Sequence, residues 1–378
     1  MNYSVTLKSH SPTIAEIDLT AFKENIQILK KGIKKNCMLL AVVKTNAYGH
    51  GTVPIGREAV HAGADRLGVS SVEEGALLRE SGIDIPIHIL SSVTSDQAAD
   101  VVHYGLTASV SSQQLAKAIS EAATNQGKIA TVHLKIDTGL HRFGVEPDRV
   151  IDFCKSCYHL QGLEWEGVYT HFSSADEEDW MTTKKQFTLF METVLKLNEQ
   201  GFTFPIRHVG GSMIAMERPD MHLDMVRPGI ALFGYHPAPR LHNRVSLKPV
   251  MKLKSKLIHI RELPPNTPIG YGGDYVTTSN EKIAIVPIGH GGGYQRVLSN
   301  KGEMLVKGHR ARIVGTISLD QTFIDVTNIP DVVEGDEVVL IGNQGEEAIS
   351  AREVAGRMES IVDEVLSGLT ERIRREYL

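Results

Sequence analysis

The chain has 378 residues, of which 42% are hydrophobic and 22% are charged, and its formal net charge is −5. This composition is typical of a globular protein of two or three domains, and the negative net charge argues against a nucleic-acid-binding surface. No apolar stretch reaches the roughly 20 residues of a membrane helix. The first ten residues lack the apolar core of a signal peptide. We therefore expect a cytoplasmic protein without nucleic-acid or membrane partners.

From about residue 13 to residue 240, apolar segments typical of strands alternate with amphipathic segments typical of helices. A helix comes first (LTAFKENIQILKKGI), and eight strand candidates follow: MLLAVV, RLGVS, IPIHIL, LTASV, ATVHLKID, LEWEGVYTH, PIRHVG and MVRPGIALFG. This alternation favours parallel strands with right-handed crossovers, and eight of them predict a closed (β/α)8 barrel. An open doubly wound sheet is the alternative, but the turns lack the Gly-x-Gly-x-x-Gly pattern of a dinucleotide-binding fold.

The composition changes near residue 240, where the segment HPAPRLHNRVSLKP is rich in proline and polar residues. Short β-type segments separated by turn residues follow, with helical patterns close to the C-terminus. We predict an N-terminal barrel domain over residues 1–240 and a smaller, mostly antiparallel β domain over residues 241–378.

Cysteine spacing raises one metal-site hypothesis. Cys154 and Cys157 form a Cys-x-x-Cys within a segment of helical periodicity, and no second pair or His-x-x-x-His completes a zinc site. Thiols at this spacing share a helix face and are common core residues. We predict no metal and, with three cysteines in all, no disulfide framework.

Polar residues collect where the predicted strands end, which in a (β/α) barrel is the rim that carries catalytic groups. They are Lys44, Lys135, Asp137, Arg142, His171, Gly210, Gly211, Ser212 and Arg227. Each has a structural explanation by itself, such as a core histidine, an ion-pair partner or a turn, but their gathering at one rim indicates an active site. Lys44 is a candidate phosphate ligand, base or Schiff-base nucleophile, because desolvation lowers the pKa of an amine.

Several motifs now carry a resemblance to a known family. AVVKTNAYGHG, residues 41–51, is similar to the cofactor-lysine motif of alanine racemases, which are fold-type III pyridoxal-phosphate (PLP) enzymes. Further blocks resemble that family in its own order: PTIAEIDLTAFKENI, HLKIDTGLHRFG, YTHFSSADEED, VRPGIALFG, GYGGDY, GTISLDQ and EGDEVVLIG. The resemblance covers nearly the whole chain. It implies a PLP-dependent racemase that interconverts L- and D-alanine and supplies D-alanine for peptidoglycan.

The resemblance also implies roles for individual residues around PLP. Lys44 would bind PLP covalently, Arg227 would face its pyridine nitrogen, and His171 would be a further cofactor-binding residue. His171 and Arg227 are also the candidates for the cationic help that Tyr271 would need to act as a base. The phosphate would contact Tyr48, Ser212, Gly229 and Ile230. An arginine cannot accept a proton, so that nitrogen would stay largely unprotonated.

A second group of residues is implied in proton transfer and substrate binding. Lys44 and Tyr271 would be the two bases, and Tyr271 would come from the other subunit of a homodimer with composite sites. Arg142 and the backbone of Leu319 would orient the substrate carboxylate. Lys135 corresponds to a lysine that is often carbamylated in the family; the alternative is a plain lysine paired with Asp137.

Some positions depart from the common family pattern. His290 replaces a tyrosine, Gly292 an aspartate, and Leu319 a methionine, while Asp363 stands where a phosphate-binding tyrosine is common. The changes at His290, Gly292 and Asp363 leave open a racemase of broader or different specificity, such as serine or lysine, or a pathway-specialised racemase. Two further alternatives are a fold-type III decarboxylase, which would need a cysteine in the second domain, and a PLP-carrier protein, which would be a single barrel.

Overall fold

A computed structural model describes residues 11–242 and 244–378, and the chain divides into two compact units. One unit is Thr20–Pro249, and the other combines the residues up to Leu19 with Val250–Leu378. The division between the units therefore falls after residue 249 rather than after residue 240. The N-terminal segment belongs to the smaller unit, whereas we predicted it in the barrel domain. The reason is the strand β1 (Ile14–Ile17), which pairs with strands from the end of the chain.

The larger unit is built from parallel strands that alternate with helices. Its strands are β2 (Met38–Val42), β3 (Arg66–Val69), β4 (Ile87–Ile89), β5 (Thr107–Val110), β6 (Ala130–Lys135), β7 (Leu163–Tyr169), β8 (Ile206–His208) and β9 (Met225–Val226). Its helices are α1 (Leu19–Gly32), α2 (Lys44–Tyr48), α3 (Thr52–His61), α4 (Val72–Glu80), α5 (Ala98–His103), α6 (Gln113–Asn125), α7 (Val150–Cys157), α8 (Met181–Glu199) and α9 (Ser212–Glu217). Short 3₁₀ turns lie at Ser95–Gln97, Pro219–Met221, Ile230–Phe233 and Pro239–Leu241.

These strands form a near-closed barrel. Strands β2 to β8 lie side by side in chain order, and β9 pairs with β2. Between β8 and β9, the Arg227 N–H donates to Gly210 O at 2.9 Å and the Asp224 N–H donates to Arg207 O at 3.1 Å. The strands are apolar along their length because helices on the outside and side chains on the inside cover both faces. The predicted (β/α)8 barrel is confirmed, and the open sheet was the wrong alternative.

The smaller unit is mostly antiparallel, as predicted. Its remaining strands are β10 (Met251–Lys256), β11 (His259–Leu263), β12 (Pro268–Ile269), β13 (Tyr275–Val276), β14 (Glu281–Val286), β15 (Glu303–Val306), β16 (His309–Ile313), β17 (Thr322–Asp325), β18 (Glu337–Gln344), β19 (Glu347–Ile349) and β20 (Arg374–Tyr377). The helical segments are 3₁₀ turns at Tyr271–Gly273, His290–Gly292 and Arg296–Leu298, then α10 (Ala351–Arg357) and α11 (Val362–Ser367). The main sheet has the order β11-β14-β17-β16-β15-β18-β10-β1-β20, and only β1 and β20 pair in parallel.

The turn after β2 has an unusual hand. Residues 45–48 all have φ between 51° and 56°, although none is a glycine. The Ala47 N–H donates to Val43 O at 3.0 Å, so the segment is a left-handed helical turn. Left-handed helix costs L-residues roughly 1–2 kcal/mol each, and here the Glu74 carboxylate accepts the N–H groups of Thr45 and Asn46. The turn sets the positions of Lys44 and Tyr48 on the barrel rim.

One further finding concerns helix length. Across the described parts of both units, no helix combines the length and the hydropathy that crossing a membrane would require.

Candidate active site

Arg227 follows β9, and its guanidinium forms hydrogen bonds with several residues of the rim. Its guanidinium donates from Nη1 to His208 Nδ1 at 2.8 Å, and from Nη2 to His171 Nδ1 at 3.0 Å and Thr170 O at 2.9 Å. The ring of Tyr169 lies 5.3 Å from its Cζ. Burial lowers the pKa of Arg227 to about 10. Because a guanidinium carries donors only, both histidine Nδ1 atoms must accept.

His171, two residues after the end of β7, is a neutral imidazole held by this arrangement. Burial is the main cause that keeps its pKa well below the ordinary value, and nearby positive charges add to it, in the order Arg227, Lys135, Arg142 and Lys44. A neutral ring whose Nδ1 accepts carries its proton on Nε2. His171 therefore presents an Nε2–H donor, and the same electrostatic environment includes Lys44 and Arg142.

Close to Arg227 in the sequence, hydroxyl and backbone N–H groups converge. The Ser212 Oγ accepts the N–H groups of Gly229 and Ala231 at 3.0 and 3.3 Å. A Cβ atom at Gly229 would clash with the hydroxyl of Tyr48, so this glycine permits the close approach of the phenol. Ile230 begins the 3₁₀ turn that follows. Such oriented N–H groups form an anion-binding concavity.

Lys135 ends β6 and is 1% exposed. Its Nζ donates to Ile136 O at 3.2 Å and lies 5.1 Å from the ring centroid of Tyr169. Burial, with a further contribution from the charge of Arg227, lowers its pKa to about 7. Among the described residues no carboxylate lies at ion-pair distance, since the Asp137 carboxylate instead accepts the backbone N–H groups of residues 139–141. The described contacts therefore include no close Lys135–Asp137 ion pair, and the charge of Asp137 acts on Lys135 from a longer distance, opposing the lowering of its pKa.

Tyr271, His290, Gly292, Leu319 and Asp363 belong to the smaller unit, whereas Arg142 belongs to the barrel unit. Tyr271 is 74% exposed and Leu319 is 53% exposed. The N–H groups of His290 and Gly291 donate to Ser318 O and Leu319 O at 3.0 and 2.9 Å, so two of the predicted positions, His290 and Leu319, are neighbours. Gly292 is buried in the same turn. Asp363 lies in the first turn of α11.

Sequence reasoning missed a set of polar residues inside the barrel, all of them buried except the partly exposed Glu166. They extend from Arg227 down through the strands and comprise His88, His133, Glu166, His208 and Arg66. The available signal was a polar residue in the middle of an apolar strand segment, as in IPIHIL or ATVHLKID. A single such residue has no spacing from which a role can be inferred.

Comparison with known proteins decides the family. The model of the alanine racemase N-terminal domain matches residues 17–237, and the model of the alanine racemase C-terminal domain matches residues 250–377. The chain belongs to the alanine racemase family. It is therefore a racemase, and the matched family models confirm the resemblance drawn from the sequence motifs.

Individual members of the alanine racemase family match over almost their whole length. The chain is 41% identical to an alanine racemase of Halothermothrix orenii over 366 residues, which is 97% of each chain. The structure of an alanine racemase from Clostridium difficile 630 has a TM-score of 0.92 at 35% identity and covers 99% of this chain and 97% of that one. A Bartonella henselae alanine racemase with covalently bound pyridoxal phosphate has a TM-score of 0.88 at 26% identity, covering 97% and 100%.

The rim residues fit a cofactor of this kind. Lys44 supplies a half-buried amine at a strand end, and Tyr48, Ser212 and Gly229 supply a cradle of hydroxyl and N–H groups suited to a phosphate. Arg227 supplies a buried cation held from three directions. Because both family models match, the alternative of a single-barrel PLP-carrier protein does not fit this chain.

Proposed function

We propose that the protein is a cytoplasmic, PLP-dependent alanine racemase that supplies D-alanine for peptidoglycan through a two-base mechanism. The observation that carries the proposal is the arrangement around Arg227. A buried cation, an adjacent neutral His171 and the Lys44 amine lie at one rim of a chain that matches the alanine racemase family in both domains.

In the proposed site, Lys44 would bind PLP covalently, and Tyr48, Ser212, Gly229 and Ile230 would bind its phosphate. PLP would supply an electron sink that acidifies the α-hydrogen of a bound amino acid. Arg227 would face the pyridine nitrogen and, having no acceptor, would leave it without a proton. This role limits side reactions in which the amino group is lost from the substrate.

Two bases on opposite faces of the substrate would remove and return the α-hydrogen. We assign them to Lys44 and to Tyr271 of the other subunit in a homodimer, and the high exposure of Tyr271 in the single chain supports this role. A tyrosine has an ordinary pKa near ~10 and needs help to act as a base. His171 suits that task because its Nε2–H is a hydrogen-bond donor, and a donor stabilises a phenolate.

Arg142 and the backbone N–H of Leu319 would bind the substrate carboxylate. Lys135 would be carbamylated, because a pKa of about 7 leaves much of its amine neutral and able to attack CO2. In that reaction the nitrogen lone pair forms a bond to the carbon of CO2, and one N–H proton is released to solvent. The product is an anion beside Arg142 and Arg227.

A racemase with a different substrate remains the second candidate. The observation that favours it is the pair of backbone hydrogen bonds that join His290 and Gly291 to Ser318 and Leu319. A departure from the family pattern at His290 thus lies next to a proposed substrate-binding residue.

The deciding experiment is incubation of the protein and PLP with L-alanine, followed by chiral chromatography, with L-serine and L-lysine in parallel. We expect D-alanine to form fastest. Borohydride reduction and peptide mapping should place the PLP adduct on Lys44. An adduct on another residue, or no D-isomer of any of the three amino acids, would reject the proposal.

A further inference from the structure

A row of polar side chains, buried except for the partly exposed Glu166, crosses the barrel interior below Arg227. The His208 Nε2 lies 2.9 Å from His133 Nδ1, and the His133 Nε2 lies 2.9 Å from the Oε2 of Glu166. The Arg66 guanidinium donates to both carboxylate oxygens of Glu166 at 2.6 Å. Both histidines are 0% exposed. We call the chain Arg227–His208–His133–Glu166–Arg66 the histidine relay.

The upper end of the relay fixes one direction of donation. Arg227 only donates, so His208 Nδ1 accepts its Nη1–H. Burial and the charge of Arg227 keep the pKa of His208 well below its ordinary value, so the ring is neutral. Its single proton is then on Nε2, which donates to His133 Nδ1.

The lower end fixes the same direction independently. Burial would raise the pKa of Glu166, but hydrogen bonds from His133 and Arg66 outweigh it and lower the pKa to about 2. An ionised carboxylate only accepts, so the His133 Nε2 must donate to it. A neutral His133 then offers its Nδ1 lone pair to His208, as the upper end requires.

The backbone is shaped to admit this relay. A Cβ atom at Gly167 would clash with the His133 imidazole, so a larger residue there would displace the ring. The pairing of β6 with β7 shifts register between Val132 and His133. The space for the His133 ring therefore depends on β7 as well as on its own strand, β6.

A metal ion is a poorer explanation of these histidines. His88, His133 and His208 have ligand atoms within 4.8 Å of one another. However, both nitrogens of His133 and of His208 already have hydrogen-bond partners, and the nearby Arg227 and Arg66 charges oppose a cation. His88 bonds through Nε2 to Ser109 Oγ at 3.0 Å, and within the described residues its Nδ1 has no partner. His88 thus lies beside the relay and outside it.

We propose that the histidine relay is a positioning device: Glu166 orients His133, and His133 holds His208 in the Nε2–H form that accepts from Arg227. If His208 lost its acceptor, the Nδ1–H form would become accessible, and that proton would face the donors of Arg227. The guanidinium would then turn away from its place. The functional part of this inference rests on the proposed role of Arg227 beside PLP.

Two opposite substitutions of His133 test the relay. In His133→Asn, the asparagine Oδ1 takes the place of the histidine Nδ1, so His208 keeps its acceptor. In His133→Gln, the glutamine Nε2 takes the place of the histidine Nε2, so the bond to Glu166 is kept and the acceptor for His208 is lost. We expect His133→Gln to raise the ratio of pyruvate to D-alanine formed from L-alanine about tenfold, the size expected for one lost hydrogen bond. His133→Asn should stay within about threefold of the parent.

A purely structural role predicts the reverse order, because asparagine leaves the larger cavity. Thermal unfolding of both variants measures that contribution separately. His88→Asn is the matched control: it removes an equally buried ring outside the relay, and its pyruvate ratio should equal that of the parent. Equal ratios in the two His133 variants, or a higher ratio in His133→Asn, would overturn the proposal.

Nitrogen NMR of the histidine-labelled holoenzyme gives a readout that does not depend on activity. We expect neutral Nε2–H forms at His133 and His208 across the neutral pH range, and loss of the fixed form of His208 in His133→Gln. An Nδ1–H form at either position in the parent would overturn the relay. If the relay forms appear in a protein that racemises no amino acid, the proposed function fails and the relay stands.

Discussion

Replacing Lys135 with methionine tests how the barrel tolerates a buried amine. The folded-state pKa is about 7 against an ordinary 10.5, because burial and the charge of Arg227 oppose protonation. The unfolded chain then binds more protons, so this group makes stability rise with pH between about 7 and 10.5, and its penalty is fully present below pH 7. The difference of 3.5 (10.5 − 7) corresponds to roughly 5 kcal/mol at most.

Urea unfolding of the barrel measures this effect, since Trp165 and Trp180 both lie in that unit and report its unfolding by fluorescence. In CO2-free buffer, Lys135→Met should have a free energy of unfolding several kcal/mol above that of the parent at pH 7. The gap should close as the pH rises towards 10. Bicarbonate should reduce the pH dependence of the parent only, because a carbamate has no ammonium form to bury.

Lys117→Met is the control, because Lys117 is exposed on α6 of the same unit. Its unfolding curve should keep the pH dependence of the parent. Parallel pH profiles for the parent and Lys135→Met would refute the reasoning, since they would mean that the amine is not desolvated. A bicarbonate effect of equal size in Lys135→Met would refute the carbamate.

Three further predictions address other parts of the molecule. In Tyr271→Phe, exchange of the α-hydrogen with deuterated solvent should persist from D-alanine and fall ~10²–10⁴-fold from L-alanine; equal exchange from both enantiomers would contradict the two-base assignment. Asp363→Tyr should lower the dissociation constant of PLP in a titration, because it restores a phosphate-binding hydroxyl and removes a carboxylate; an unchanged or weaker affinity would mean that residue 363 is remote from the phosphate. Gly167→Ala should lower the free energy of unfolding by about 1–3 kcal/mol in urea, because its Cβ meets the His133 ring; an unchanged value would show that the ring relocates freely.

The barrel was predictable because its signal is repeated. Eight apolar strand segments alternate with amphipathic helical segments, so an error in one segment leaves the pattern intact. Lys44, His171 and Arg227 were found for the same reason, since the rim of a parallel barrel is where strand ends meet.

Features that depend on a few residues were not predictable in this way. The strand IAEI is too short for its period-two alternation to stand out beside a long helix. The left-handed turn at residues 45–48 contains no glycine, so its residue types do not indicate a positive φ. Predicting the histidine relay would require knowing that His133, Glu166 and His208 share the barrel interior. These residues are far apart in the sequence, so the sequence does not indicate that they meet.

The placement of β1 has a consequence for how the chain is made. Residues 14–17 leave the ribosome early, yet one of their two neighbours in the sheet is β20, at residues 374–377. The smaller unit therefore cannot complete its sheet until residues 374–377 have been made, whereas Thr20–Pro249 has all its strands available earlier. The barrel is thus free to fold first, as N-terminal domains generally do. A separately expressed Val250–Leu378 fragment would lack the strand between β10 and β20, and a peptide spanning β1 is the piece that would restore it.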